Sequence, residues 1–199
     1  MFVRKINSFL SNVTTRLYKE VFNMKRKIIL NLAISLDGYI ASEDGGYDWI
    51  VGDGDDSLNT ENKFDFNNFL EGIDIVVMGK KCYDQNMHND YKNKKVYVAT
   101  SQKIEDQDNL HFISGDIIKI IQEEKEKDGK DIYLFGGGGL VDNFIKADII
   151  DEFIVGIIPT ILGKGRPLFL ENNPTIKLHL DEVFVENGIT ILKYTKRKI

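Results

Sequence analysis

The sequence predicts an α/β fold built on a mixed sheet, and two patterns carry that reading. Strand and helix signals alternate from Lys27 to Ala147, and strand signals then follow one another and close in a hairpin. A third observation places ligand chemistry on the frame: the stretch "YLFGGGGLVDNF", residues 133–144, sets four consecutive glycines between an apolar strand and a helix. Glycine disfavours both strand and helix by roughly 0.5–1 kcal/mol relative to alanine, so four together need a positive reason.

"KIILNLAI" (27–34) is a buried strand, residues 60–71 carry a helical period, and "IDIVVMG" (73–79) is a strand that runs into a short helix. "KKVYVAT" (94–100) and "HFIS" (111–114) are further strands, and "DIIKIIQEEKEK" (116–127) is a helix that turns Ile117, Ile118, Ile120 and Ile121 inward. "DIYLF" (131–135) is a strand and "LVDNFIKA" (140–147) a helix. "DEFIVGIIP", "IKLHLDEVFVE" and "GITILKYTK" then follow as strands, with "ENG" as the turn between the last two.

With 199 residues and 42% hydrophobic content, the chain suffices for one substantial core. Residues 24–199 are expected to form one domain behind an N-terminal extension, residues 1–23. There Phe2, Ile6, Phe9, Val13, Leu17 and Val21 recur at helical spacing beside Arg4, Lys5, Arg16 and Lys19. The net charge of −5 offers no basic footprint for nucleic acid. Cys82 is the single cysteine and only three histidines occur, so neither a disulfide framework nor a thiolate zinc site is available and no metal is expected. No apolar run approaches the ~20 residues of a membrane span, and a reducing cytoplasm suits this cysteine usage.

Three strand ends favour anions. A strand followed by Gly136, Gly137, Gly138 and Gly139 and then a helix gathers backbone N–H groups at a helix start, where phosphate binds; the bland alternative is a tight turn, which one or two glycines would serve. "VVMGKKCYD" places Gly79 at a turn and Lys80 and Lys81 at a helix start, where cations oppose the helix dipole unless an anion is present. "VYVATSQK" sets Thr100, Ser101 and Lys103 just past a strand. Together they point to an extended ligand with several phosphates, such as a dinucleotide. The run is neither the G-x-G-x-x-G fingerprint nor a P-loop.

Here the sequence resembles a known family. "LAISLDGYIA", Trp49, "VMGKKCYD", "VYVATSQ", "YLFGGGGLVDNF" and "DEFIVGIIPTILGKGRPLF" are similar to the dihydrofolate reductase superfamily, in particular the branch related to the C-terminal reductase domain of RibD, the riboflavin biosynthesis enzyme. The resemblance implies a three-layer fold around a central, mainly parallel eight-stranded sheet, with NADPH lying across the strand ends. It implies that Ala33 and Ile40 line the nicotinamide side and that Gly79, Lys80 and Lys81 meet the phosphates. Thr100 and Ser101 would lie near the adenosine 2'-phosphate, and Gly136 to Gly139, with Leu140 beside them, would approach the pyrophosphate. A cis peptide at Gly136-Gly137 is implied as well.

The departures bear on the substrate. The carboxylate that holds a pterin in folate reductases has Asp65 as its nearest counterpart, out of register, with Glu61 as another. Val141 stands where a tyrosine is expected and Gly156 where a threonine is expected, which argues against folate. The zinc deaminase pattern that accompanies this domain in the riboflavin pathway is absent. Asp37 in "SLDGYI" reads either as a substrate-side acid or as turn chemistry. Trp49 reads either as a stacking residue or as a cap on the core. The run "SEDGGYDWIVGDGDD" has the character of a mobile loop over a site. The expected activity is NADPH-dependent hydride transfer to a planar heterocycle of pteridine, pyrimidine or flavin-precursor type; the alternative is a non-catalytic dinucleotide-binding or interaction protein. A strand-rich C-terminal half would suit a homodimer.

Overall fold

The computed structural model describes residues 25–197, so the expected extension over residues 1–23 lies outside it. Six apolar segments become parallel neighbours: β1 (Ile28–Ser35), β3 (Ile73–Gly79), β4 (Lys95–Ala99), β5 (Leu110–Ile113), β6 (Asp131–Gly136) and β7 (Glu152–Ile158). The hairpin of β9 (Leu178–Glu186) and β10 (Ile189–Lys196) adds to β7 in antiparallel sense, giving the order β5-β4-β3-β6-β1-β7-β10-β9. The expected mainly parallel, eight-stranded sheet with a C-terminal antiparallel hairpin is what forms. Its "ENG" turn has Asn187 at φ 51° and Gly188 at φ 77°, the pair of positive φ values that a two-residue type I′ hairpin requires.

Helices cover both faces, as continuously apolar parallel strands demand. On one side α3 (Ile117–Lys125) and α4 (Gly138–Lys146) bury Ile121, Val141 and Phe144 against Leu30, Ile132 and Leu134. On the other, α1 (Phe66–Glu71), α2 (Lys80–Asp84) and a 3-10 turn (Met87–Tyr91) lay Phe69, Tyr83 and Tyr91 over Val76, Met78 and Val98. Full burial of a side chain such as Phe144 or Met78 contributes about 1.5–3 kcal/mol. Among the described residues no helix is long and apolar enough to cross a membrane.

Two readings change in detail. The helix expected over residues 60–71 begins at Phe66, because Asp65 caps it by accepting from the Asn68 N–H at 3.0 Å. Upstream, Thr60 is held instead by the hairpin, with its N–H on Val185 O and its hydroxyl oxygen accepting from Val185 N, both at 3.0 Å. Two short strands escape the sequence pattern: β2 (Tyr39–Ala41) and β8 (Arg166–Pro167) pair antiparallel as a small separate sheet.

The strands' N-terminal ends carry a buried charge cluster. Arg26 pairs with Asp74 and lies 3.5 Å from Glu124, whose Oε1 accepts from Tyr97 Oη at 2.7 Å and from Lys95 and Lys127 Nζ at 3.0 Å each. Glu124 is 5% exposed. Burial alone would raise its pKa, but hydrogen bonds from Tyr97, Lys127 and Lys95 outweigh it and hold the carboxyl at about 2.

Candidate functional site

The opposite, C-terminal ends of the parallel strands open onto a cavity of about 940 Å³. β1 contributes Asn31 and Ala33, β3 ends there at Gly79, β6 brings Tyr133, Phe135 and Gly136, and β7 brings Gly156 and Ile158. Crevices at carboxyl strand ends are where open α/β sheets bind ligands. β2 and β8 roof the cavity with Ile40, Ala41, Arg166 and Pro167.

The four glycines are there for different reasons. Gly136 sits at φ +124°, a conformation that other residues rarely adopt, and the Gly136-Gly137 peptide is cis. A Cβ on Gly138 would lie 2.6 Å from Pro167 O, so this glycine lets the roof approach α4. Gly137 and Gly139 have nothing within 4 Å of an added Cβ, and both line the cavity. Neither of these two is required by packing. They keep backbone accessible from the open space.

Helix starts sharpen the picture. α1 and α3 are capped by Asp65 and Asp116, the latter accepting from the Lys119 N–H at 3.0 Å. α2 and α4, which start at the cavity from Gly79 and Gly137, have no side-chain cap. In α4 the Leu140 N–H turns back to Gly137 O at 2.9 Å, whereas the N–H groups of Gly138 and Gly139 find no acceptor among the described residues and are left for solvent or ligand. Lys80 is engaged by Asp84 one turn on, and Lys81 is exposed.

The other end of the cavity is apolar and aromatic. Tyr47, Ile50, Phe64, Phe66, Tyr133 and Phe135 line it, with Tyr133 edge-on to Phe69 and Phe135 at centroid distances of 5.2 and 5.7 Å. Burial pushes the Tyr133 hydroxyl well above its ordinary pKa, and it donates to Asn31 O at 2.9 Å. The acidic loop that supplies Tyr47 and Ile50 is tied to the hairpin: Asp53 N–H bonds Asn187 O at 2.9 Å, Asn187 N–H bonds Asn59 Oδ1 at 2.7 Å, and Lys63 pairs with Glu186.

The residues singled out from sequence thus separate. Ala33, Ile40, Gly79, Lys80, Lys81, Gly136 to Gly139 and Leu140 share the cavity lining. Thr100 and Ser101 stand at the end of β4, outside that lining, with Thr100 Oγ1 accepting from Gln102 N–H at 3.1 Å. Asp37, Trp49 and Asp65 are outside it too. Asp37 clasps the loop before β8, accepting from Ser35 Oγ at 2.6 Å, Leu162 N–H at 3.1 Å and Gly163 N–H at 2.8 Å. The Ser35 bond leads in lowering its pKa, against desolvation and with help from the two backbone N–H groups. Trp49 turns its Nε1 onto Gly46 O at 3.3 Å, and Asp65 is the exposed cap of α1. Cys82 is partly buried at the cavity wall, and burial raises its thiol pKa. Asn31 was missed, although it is the only polar residue in "IILNLAI" and shares a strand face with Ala33.

The family described as the RibD C-terminal domain matches residues 26–190. The chain belongs to the RibD C-terminal domain family. Within reach of this family, "Uncharacterized protein YwjB" of Bacillus subtilis (strain 168) is 36% identical over 162 residues, which cover 79% of this chain and 90% of that protein. A crystal structure named "Putative riboflavin biosynthesis protein" from Shewanella sp. PV-4 is 30% identical, with a TM-score of 0.72 and coverage of 86% of this chain and 99% of that one. Dihydrofolate reductase from Enterococcus faecalis, complexed with NADP(H) and RAB-propyl, is 13% identical at a TM-score of 0.59, covering 87% of this chain and 98% of its own. At that identity the likeness concerns the fold. The fold of this RibD C-terminal domain is dihydrofolate-reductase-like.

Proposed function

We propose that the protein is an NADPH-dependent reductase that transfers a hydride to a planar heterocycle other than dihydrofolate. One observation carries the reading: a single cavity joins an uncapped glycine helix start at one end to an aromatic slot at the other. The residues fit the cofactor, since the open positions at Gly137 and Gly139 form a cradle that any side chain would fill. NADPH supplies the hydride when bound. The chain's own work is positioning. The N–H groups of Gly138 and Gly139 hold phosphate oxygens, Ala33 and Gly156, paired across β1 and β7, leave room for a flat ring, and the Phe64, Phe66 and Phe135 side chains keep water from it.

The test is loss of NADPH absorbance across a panel of pteridines, pyrimidinones and flavin precursors. Turnover of at least one of them is expected, and no appreciable turnover of dihydrofolate. Val141 is fully buried in the core, Gly156 has no side chain, and the Asp65 carboxylate is occupied by its own helix, so none of these three positions pairs with the pterin amidine. An unpaired polar group of that kind costs about 1–3 kcal/mol. Robust dihydrofolate reduction would reverse the substrate assignment, and a silent panel would favour the non-catalytic reading.

NADPH is also expected to bind more tightly than NADH, by about tenfold, which corresponds to one charge-assisted contact. Thr100, Ser101 and Lys103 at the end of β4 supply hydroxyls and a cation for the 2'-phosphate, and no carboxylate follows before Glu105. Calorimetric titration of both cofactors, with the parent and with Ser101→Ala plus Lys103→Ala, checks this. Equal affinities in the parent would remove this strand end from the site.

A further inference from the structure

β1 is a largely buried strand that lines the cavity with Asn31, Leu32 and Ala33. An asparagine at its centre is out of place on hydrophobic grounds. Asn31 is 8% exposed, it lines the cavity, and its Nδ2 is sealed from solvent with no hydrogen-bond partner among the described residues. Buried amides are almost always paired, so an unpaired one facing a cavity calls for an explanation. The neighbours do not provide it. Tyr133 spends its hydroxyl on the backbone oxygen of Asn31, and Ile154, the cross-strand partner on β7, is apolar. Rotation about χ2 exchanges the amide oxygen and nitrogen, so the donor can be turned toward the open space.

We propose that Asn31 is the specificity-determining residue of the ring site, donating a hydrogen bond to a carbonyl oxygen on a fused heterocycle held among Phe64, Tyr133 and Phe135. The proposal rests on the reductase reading only for the location of the ring site. A site built around a buried donor discriminates strongly against a ring that lacks the acceptor, because that ring leaves the donor unpaired, whereas an apolar slot alone barely separates isosteres. The charged side chains of the lining are Lys80, Lys81 and Arg166, from α2 and β8, and Asp90, from the 3-10 turn, so a neutral probe isolates the Asn31 contact from them.

The experiment uses the full chain and two matched probes, quinazolinone and quinazoline, titrated calorimetrically, with NADPH titrated in parallel. The parent is expected to prefer quinazolinone by about tenfold or more. Asn31→Leu removes the amide and Asn31→Asp, nearly isosteric, removes the donor. Both are expected to abolish the preference while NADPH affinity stays within about twofold, because the contacts to phosphate lie elsewhere. Equal binding of the two probes to the parent, binding of neither, or a preference that survives both variants would overturn the assignment. Unfolding of both variants would make Asn31 a structural residue and overturn it as well. Loss of the preference in a protein that binds no NADPH would retain Asn31 and remove the reductase reading instead.

Discussion

Gly139→Val is expected to weaken NADPH binding by at least about a hundredfold while leaving the fold intact, because displacing two charge-assisted hydrogen bonds removes about 3–6 kcal/mol. Position 139 is exposed, within the first turn of α4, and an added Cβ meets nothing within 4 Å. Valine also has a better helix propensity than glycine, so thermal stability should hold or rise slightly. Its branched side chain would stand in the open space over the helix start. Gly138→Ala should behave in the opposite way. Its Cβ would lie 2.6 Å from Pro167 O, which is backbone, so the roof or the helix must shift and stability should fall. Measuring Tm and the NADPH dissociation constant for both variants gives a crossed pattern, affinity lost in one and stability in the other. Gly139→Val protein with parental affinity would take the helix start out of the site.

The second large effect lies at the other end of the sheet. Glu124→Gln is expected to destabilise the protein by about 3 kcal/mol near neutral pH, since removing one partner of a buried ion pair strands the others. Arg26, 6% exposed, would keep Asp74 but lose its second carboxylate, and Lys95 and Lys127 would lose theirs. The sign with pH follows from the depressed pKa. A carboxyl at about 2 against an ordinary 4.5 stabilises the fold fully above the higher value and loses that contribution as pH falls toward the lower one. Urea titrations of parent and variant at several pH values should show a stability gap that is widest at neutral pH and closes on acidification. A gap independent of pH would mean that packing, not ionisation, makes Glu124 matter. Because this cluster is at the strands' N-terminal ends, cofactor affinity per folded molecule should be unchanged.

How far these features could be read from residues alone varies with the range of the interaction that fixes them. "IDIVVMG" became β3 over the same seven residues, since a run buried on both faces is a local signal. The helical period over 60–71 runs past the helix itself because the partner of Thr60 is Val185, far along the chain, although the Asp65 cap is a local cue. β2 and β8 are too short to show a period and exist through their pairing with each other. The glycine run was visible as an anomaly, yet only the approach of Pro167 distinguishes Gly138 from its neighbours. Asp37 kept two readings in sequence, and its three hydrogen bonds place it at a loop junction. Asn31 shows that a polar residue in an apolar strand is worth asking about even where the strand itself is secure.

The cavity's two ends are made from different kinds of chain, and this sets where the protein can change. The glycine end is locked to the sheet: Gly136 pairs with Met78, and Gly138 touches the roof. Much of the opposite wall comes from residues 42–65, which form neither helix nor strand and are fastened mainly to the tip of the β9–β10 hairpin. Substitutions at Tyr47, Ile50 or Phe64 can reshape the slot without disturbing any strand register. The same freedom is denied to Gly136, with its positive φ, and to Gly138 under the roof. A library confined to the 42–65 segment is therefore expected to yield folded proteins that differ in ring preference, so that the slot can be redrawn along one wall while the glycine wall keeps its geometry.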